Sequence, residues 1–431
     1  MKILKSNPIS PFGGLNFVLE EFNSCNINKS LNQYLPDLAS QCVYGWKDLL
    51  YSFWSIYFCG GDCIEDLSGN FKHHIEAQPY LKIPSPDRVL DRMKELSVPS
   101  SVCTSPRGIS KHEISSNNLL GQLNLAIAKR LGLLNKEELI LDYDNTILFT
   151  EKDDARMSYK RKNGYCPGVG VIGDTVVFIE NRNGNSDAKT LQHETLKRMF
   201  NLFSNQNIKI NTFRADGASF QFSVFKLLEK NVDNIYIRAC MRAPLSKCIA
   251  EIDNWESVDL GDEIAFRGEA SYTPFVRDAK RNKEEHLLKT YRLVVTKVSR
   301  KDNQINAFTG EAYNYSAIIT TDWKKTKHEV VEFYNQRGAM EKEFDVLKND
   351  FGWKNLPFSK LEQNTVFLFF TAMCRNLYSY IITSFSKKFK HLKPIFRIKK
   401  FIFRFITIPA KWIKKARRWH LRIYSKIAFK T

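Results

Sequence analysis

Apolar positions recur at helical spacing in four stretches of the first 137 residues, 15–23, 45–59, 86–96 and 117–131, with short polar breaks between them. No strand pattern interrupts this series, so the segment reads as an all-α domain. Pro84-Ser85-Pro86-Asp87 opens the third helix with an acidic first turn, which suits either the second helix of a helix-turn-helix or an ordinary bundle helix. From Glu138 the texture changes. Residues 139–144 form a short apolar run ending in acids, and 169–172 and 175–179 flank Gly173-Asp174, a two-residue hairpin signal. A helix at 189–203, a strand at 208–216, a helix at 222–228 and a strand at 234–239 follow.

Strand, hairpin, helix, strand, helix, strand, with acids at the ends of two strands, is the order of an RNase H-like core. Residues 244–320 interrupt it with polar loops and strand-like runs such as Tyr291-Arg292-Leu293-Val294-Val295, which predicts a mostly β insertion. A long helix over 328–350 and an apolar helix over 361–384 complete the pattern. The stretch 365–385 has the length of a membrane span, but Arg375 and Asn376 at its centre would be costly in lipid, so it reads as a buried core helix with no membrane partner. The expected fold class is α/β: a helical domain at 1–137, an RNase H-like catalytic domain at 138–385 and a basic C-terminal tail at 386–431.

Charge sharpens this picture. The 431 residues hold 65 Lys+Arg against 46 Asp+Glu, and residues 387–431, with 16 basic and no acidic side chains, account for 16 of the 19 net positive charges. A polyanion is the natural partner of such a segment, whether duplex DNA or anionic lipid, and a solvated extension is the bland alternative. At 43% hydrophobic the chain is no disordered polyelectrolyte. Nine cysteines, an odd number without a secretory leader, read as reduced thiols of a cytoplasmic protein. Cys59-x3-Cys63 near His73 and His74 lacks the second pair that zinc requires. Gly168-x-Gly170-x-x-Gly173 matches a dinucleotide fingerprint only formally, because no helix follows it.

The sharpest chemical signal lies in the helix after the insertion. At about 100° per residue, Tyr334, Arg337, Glu341 and Lys348 share an arc of roughly 60°, while Met340, Phe344, Leu347 and Phe351 line the adjoining apolar stripe. One carboxylate and three phosphate-binding side chains would thus stand rigidly at the edge of a core.

The spacing Tyr334-x2-Arg337-x3-Glu341-x6-Lys348 resembles the Y-(2)-R-(3)-E-(6)-K signature of bacterial insertion-sequence transposases of the DDE type. The words Phe333-Tyr334-Asn335-Gln336-Arg337-Gly338, Leu347-Lys348-Asn349-Asp350-Phe351-Gly352 and Leu141-Asp142-Tyr143-Asp144-Asn145-Thr146 are similar to the family named after insertion sequence thirteen-eighty. The resemblance covers residues 138–380 and reaches the N-terminal domain only in general character. It implies that Asp144, Asp216 and Glu341 are catalytic and hold two Mg2+ ions, with Mn2+ able to substitute. It also implies that Tyr334, Arg337 and Lys348 contact DNA phosphates. Asp142, two residues before Asp144 and on the same strand face, is the alternative first ligand; Asp144-Asn145-Thr146, resembling the Asp-Gly-Thr of related transposases, favours Asp144. Trp323 or Trp255 could stack on an extruded base or simply pack. The implied function is a DNA transposase that binds terminal inverted repeats and performs Mg2+-dependent cleavage and strand transfer in cut-and-paste transposition. It would act as a homodimer in a synaptic complex, in a bacterial cytoplasm at the nucleoid. A metal-dependent nuclease without strand transfer and an inert DNA-binding derivative are the rival readings.

Overall fold

The apolar runs after residue 138 pair into one large sheet. The computed structural model describes residues 9–76, 78–104, 110–261, 263–300 and 312–425. Residues 301–311 of the expected insertion and the last six of the basic segment lie outside them. In chain order the strands are β1 (Ser101–Thr104), β2 (Lys111–Ser115), β3 (Ile140–Asn145), β4 (Leu148–Phe149), β5 (Arg156–Met157), β6 (Asn163–Tyr165), β7 (Gly168–Ile172), β8 (Thr175–Arg182), β9 (Thr212–Ala215) and β10 (Asn234–Arg238). The series continues with β11 (Glu256–Asp259), β12 (Ile264–Tyr272), β13 (Tyr291–Ser299), β14 (Tyr313–Thr320), β15 (Ala410–Lys415) and β16 (Arg418–Ile423). Eleven of them form a mixed sheet in the order β1-β2-β8-β7-β3-β9-β10-β14-β13-β12-β11.

Strands β3, β9 and β10 run parallel at its centre, with β7 and β8 antiparallel on one side. The turn between β7 and β8 is Gly173-Asp174, and Gly173 sits at φ +68°, where a side chain would be strained. On the other side β14 pairs antiparallel with β10, and β13, β12 and β11 follow it. The β insertion therefore extends the central sheet. Helices Gln192–Asn205 and Phe222–Asn231 cover one sheet face through a core that includes Leu196, Met199, Phe225 and Leu228.

Helices Leu15–Ser24, Trp46–Phe58, Pro86–Glu95 and Asn118–Arg130 stand where the periodicity put them. The all-α reading of residues 1–137 needs correction, because β1 and β2 lie within it and carry the sheet past β8 through Ile114 opposite Arg182. These strands are four and five residues long and mixed in polarity; pairing to a neighbour makes them strands, where their own sequence gives little signal.

Helix Leu361–Lys388 is apolar and long enough to cross a membrane by length and composition, and its most apolar window is 94% buried inside the protein. Its central polar residues find partners there: Arg375 pairs with Glu343 at 2.8 Å, and Asn376 accepts from Val176 N at 2.8 Å and donates to Val176 O at 2.9 Å. On the opposite side Trp54 Nε1 donates to Phe370 O at 2.9 Å. One continuous core thus joins the N-terminal helices, this helix and the second face of the sheet. Asp154, in the short β4-β6-β5 sheet region, accepts from Leu361 N at 2.7 Å and sets a carboxylate at the positive end of the helix.

The basic segment, whose order the sequence left open, is folded through residue 425, with Ile398–Phe401 helical and β15–β16 a hairpin. Its interleaved aromatics supply the reason. Phe401, Phe405 and Ile406 are buried in the N-terminal core, while Ser10 and Ala410 exchange backbone hydrogen bonds at 2.9 Å. A Cβ on Gly14 would stand 2.0 Å from Phe405 O, so only glycine permits this approach.

Candidate functional site

Two adjacent parallel strands bring the first two acids together. In the β3–β9 register Asp142 faces Arg214 and Tyr143 faces Ala215, so Asp144 and Asp216 come next at the carboxyl ends of neighbouring strands. Open α/β sheets place ligands at such ends. Asp216 leaves β9 as the cap of a short 3-10 turn, its Oδ1 accepting from Ala218 N at 2.9 Å.

Asp142 and Asp144 share a face but have different surroundings. Asp142 is closed in a buried two-bond pair with Arg214, at 2.7 Å for each bond. Arg214 also donates to Phe333 O at 2.6 Å and lies over the Phe333 ring at 4.8 Å, tying β3, β9 and helix Lys327–Asn335 together. Sequence reasoning passed over Arg214. Its signal was period two: it lies two residues before Asp216 on one strand and so shares that residue's face. Asp144, by contrast, stands at the mouth, bonded by its neighbour's backbone, Asn145 N, at 2.7 Å and by Arg337 Nη1 at 3.1 Å.

The helix expected over 328–350 is not continuous. It runs Lys327–Asn335, tightens to a 3-10 turn at Gln336–Gly338, and resumes as Ala339–Asp350. Each 3-10 residue turns by about 120° in place of about 100°, which rotates the second part by roughly 60° relative to the first. The expected polar stripe is therefore split. Tyr334 is buried and donates its hydroxyl to Ala215 O at 3.2 Å, bracing the strand end before Asp216. Glu341 is 75% exposed, 3.9 Å from Arg337 Nη2. Arg337, at 15% exposure, stands between Asp144 and Glu341. The adjoining apolar stripe holds: Met340, Phe344, Leu347 and Phe351 are all buried. Lys348 is half-buried, and desolvation first, then the charge of Lys354, lowers its pKa. It shares an electrostatic neighbour, Cys166, with Asp144, and Cys166 O accepts from Asn145 Nδ2 at 3.3 Å.

Burial pushes the Asp144 carboxyl from 3.8 up to about 6, and the charge of Asp216 adds to the rise, against Arg337 and the Asn145 amide. Among the described residues, the one trio whose donor atoms all lie within 4.8 Å of one another is Asp62, Cys63 and Asp66, where Asp66 caps a turn by accepting from Asp62 N and Cys63 N. Asp144 and Glu341 instead reach the Arg337 guanidinium at 3.1 and 3.9 Å, and the charge of Asp216 acts on it as well. Of the two tryptophans, Trp255 is engaged, donating to Ile252 O at 2.8 Å beneath the Lys297 ammonium at 4.4 Å, whereas Trp323 is exposed.

A pH dependence follows. The folded state holds the Asp144 proton more tightly than the unfolded chain, so its contribution to stability is full below about pH 4 and is lost as the pH rises through about 6. In metal-free buffer Asp144→Asn is expected to be more stable than wild type at pH 7.5, by on the order of 2 kcal/mol, with the difference closing toward pH 4. Urea unfolding at both values checks it; equal stabilities at pH 7.5 would remove the assigned cause.

The family model described as transposase DDE domain group 1 matches residues 7–431. No curated protein matches the chain. Among solved structures, it is similar to a cryo-EM structure of the piggyBac transposase synaptic complex with hairpin DNA, at 13% identity over 93% of this chain and 80% of that one, with a TM-score of 0.42.

Proposed function

The chain belongs to the transposase DDE domain group 1 family, and on that premise we propose that it is a DNA transposase that cuts at the ends of its own element and joins the freed ends to new DNA. One observation carries the reading: the Arg337 cation bonds Asp144 and approaches Glu341 while the charge of Asp216 acts on it, so carboxylates from three separate elements act on a single positive group. The strand order β8-β7-β3-β9-β10, with three parallel strands and two antiparallel returns, supports an RNase H-like core.

Three hard oxygen donors with surplus negative charge suit Mg2+ or Mn2+, and Asp144, Asp216 and Glu341 are the residues that would hold such ions. Bound there, the ions would activate a water or 3′-hydroxyl and stabilise the leaving oxygen of a phosphodiester. Asp142 is committed to Arg214, which favours Asp144 as the first ligand. Arg337 can exchange its carboxylate partner for a DNA phosphate, since a guanidinium binds either through parallel N–H bonds. Lys348 supplies a compact ammonium at the same mouth. Tyr334 acts through Ala215, positioning Asp216, and its buried hydroxyl is no free phosphate contact. The exposed Trp323 ring remains for stacking on a base. Recognition of terminal inverted repeats falls to the N-terminal helices, and the joining of two ends calls for two copies in one complex. The Tyr334 to Lys348 spacing supports an origin in a bacterial insertion sequence of the thirteen-eighty group.

Incubating the protein and Mg2+ with a labelled duplex carrying its element's end and a supercoiled target is expected to give joined product, lost on chelation. Cleavage without joining would replace this reading with a metal-dependent nuclease. Binding without either would replace it with an inert DNA-binding derivative.

A further inference from the structure

The basic C-terminal segment divides by partner. Its first part is neutralised from within: Arg397 bonds Asp345 at 2.6 Å and Asp350 at 2.8 Å, and Lys388 reaches Glu21 at 3.2 Å. The hairpin is different. Among the described residues no carboxylate lies within 4.0 Å of Lys411, Lys415, Arg417, Arg418 or Arg422.

The register sorts its side chains, because cross-strand partners share a face. On one face Ala410 is opposite Ile423 and Trp412 opposite Leu421. This face lies on the N-terminal helices, where Trp412 Nε1 donates to Asn16 Oδ1 at 3.0 Å and the ring meets Tyr80 edge-on at 5.7 Å. The outer face sets Lys411 opposite Arg422, Ile413 opposite His420 and Lys415 opposite Arg418. Like charges directly opposite each other weaken a strand pair, and this hairpin has two such pairs. Its turn adds strain: Ala416 at φ +50° and Arg417 at φ +62° are both left-handed, a conformation that two-residue turns fill with Asn and Gly. A ribbon anchored by one face and self-repelling on the other is suited to a polyanion laid over it.

We propose that β15–β16 docks as a two-stranded ribbon in the major groove of duplex DNA, with Lys411, Lys415, Arg418 and Arg422 on the flanking phosphates; this rests on the transposase reading above. The major groove, about 12 Å wide, admits a two-stranded β-ribbon. The middle pair, Ile413 and His420, then faces the groove floor, where a methyl contact and a ring N–H can read base edges.

The test uses the full chain and fluorescence anisotropy with a labelled duplex over a potassium chloride series. Replacing all four residues by Gln is expected to flatten the log–log salt slope by about 3.6 and to weaken binding at least about tenfold at physiological salt. The Lys415→Gln/Arg418→Gln pair is expected to give about half that slope change. Neutralisation relieves the cross-strand repulsion, so both variants should melt at or above the wild-type temperature, and lost binding would not reflect unfolding. Wild type should protect guanine N7 from dimethyl sulfate, and the fourfold variant should lose that protection. An unchanged slope in both variants overturns the proposal and leaves the transposase reading standing. A wild type that binds no duplex overturns both. Unchanged DNA binding with loss of binding to phosphatidylserine vesicles overturns it in favour of a membrane surface.

Discussion

Asp216→Asn is expected to lower DNA cleavage and joining by at least about 10³-fold, equivalent to about 4 kcal/mol in the barrier, while leaving duplex affinity within a few-fold of wild type. Asn keeps the side-chain oxygen that caps Ala218 N, so the turn at Gly217–Ser219 survives and the change is confined to one negative charge at the mouth. Glu341→Gln should behave alike, since Glu341 is exposed and its one close partner among the described residues is Arg337 at 3.9 Å. Asp142→Asn gives the contrast. It unbalances the buried pair with Arg214, so it should lower stability, with cleavage per folded molecule retained. Full cleavage by Asp216→Asn in a gel assay would remove Asp216 from the site, and loss of cleavage by a stable Asp142→Asn would move the first ligand there.

A chain ending at residue 386 is expected to yield no folded protein, although the deleted part holds 16 basic and no acidic side chains. The deletion strips Leu392, Ile398, Phe401, Phe405 and Ile406 from the N-terminal core. A single substitution isolates the effect: Phe401→Ala should cost about 3–5 kcal/mol, because the ring is fully buried against Phe58, Tyr378, Phe385 and Phe405. Urea unfolding reads this directly. A midpoint equal to that of wild type would mean that the segment is dispensable to the core.

These two outcomes mark the reach of sequence reading for this chain. Strong local periodicity was readable: Leu361–Lys388 is apolar on all sides because it is surrounded, and β7–β8 announces itself through Gly173-Asp174. The strand-end placement of Asp144 and Asp216 was readable because each acid closes a short apolar run. What escaped depends on partners distant in sequence. β2 is a strand because β8 lies beside it, and the C-terminal Phe401 and Phe405 are core because Phe58 meets the one and Gly14 and Phe17 the other. The 3-10 turn at Gln336–Gly338 escaped because a uniform helical wheel has no term for local tightening, yet it separates Tyr334, turned inward, from Glu341, turned outward. Arg214 escaped because its period-two link to Asp216 names no partner, and its register partner, Asp142, is supplied only by the pairing of β3 with β9.

The closure of Ser10 on Ala410, with Gly13 N donating to Ile408 O at 2.7 Å, has a consequence for biosynthesis. The residues around Ser10 emerge from the ribosome about 400 residues before their partners, a delay of about 20–80 s at 5–20 residues per second. Until then the N-terminal helices present the apolar pocket that Phe401 and Phe405 will fill, and holdase chaperones bind such surfaces. A nascent chain that stops short of Phe401 leaves that pocket open, so only copies that reach β15 close the N-terminal core.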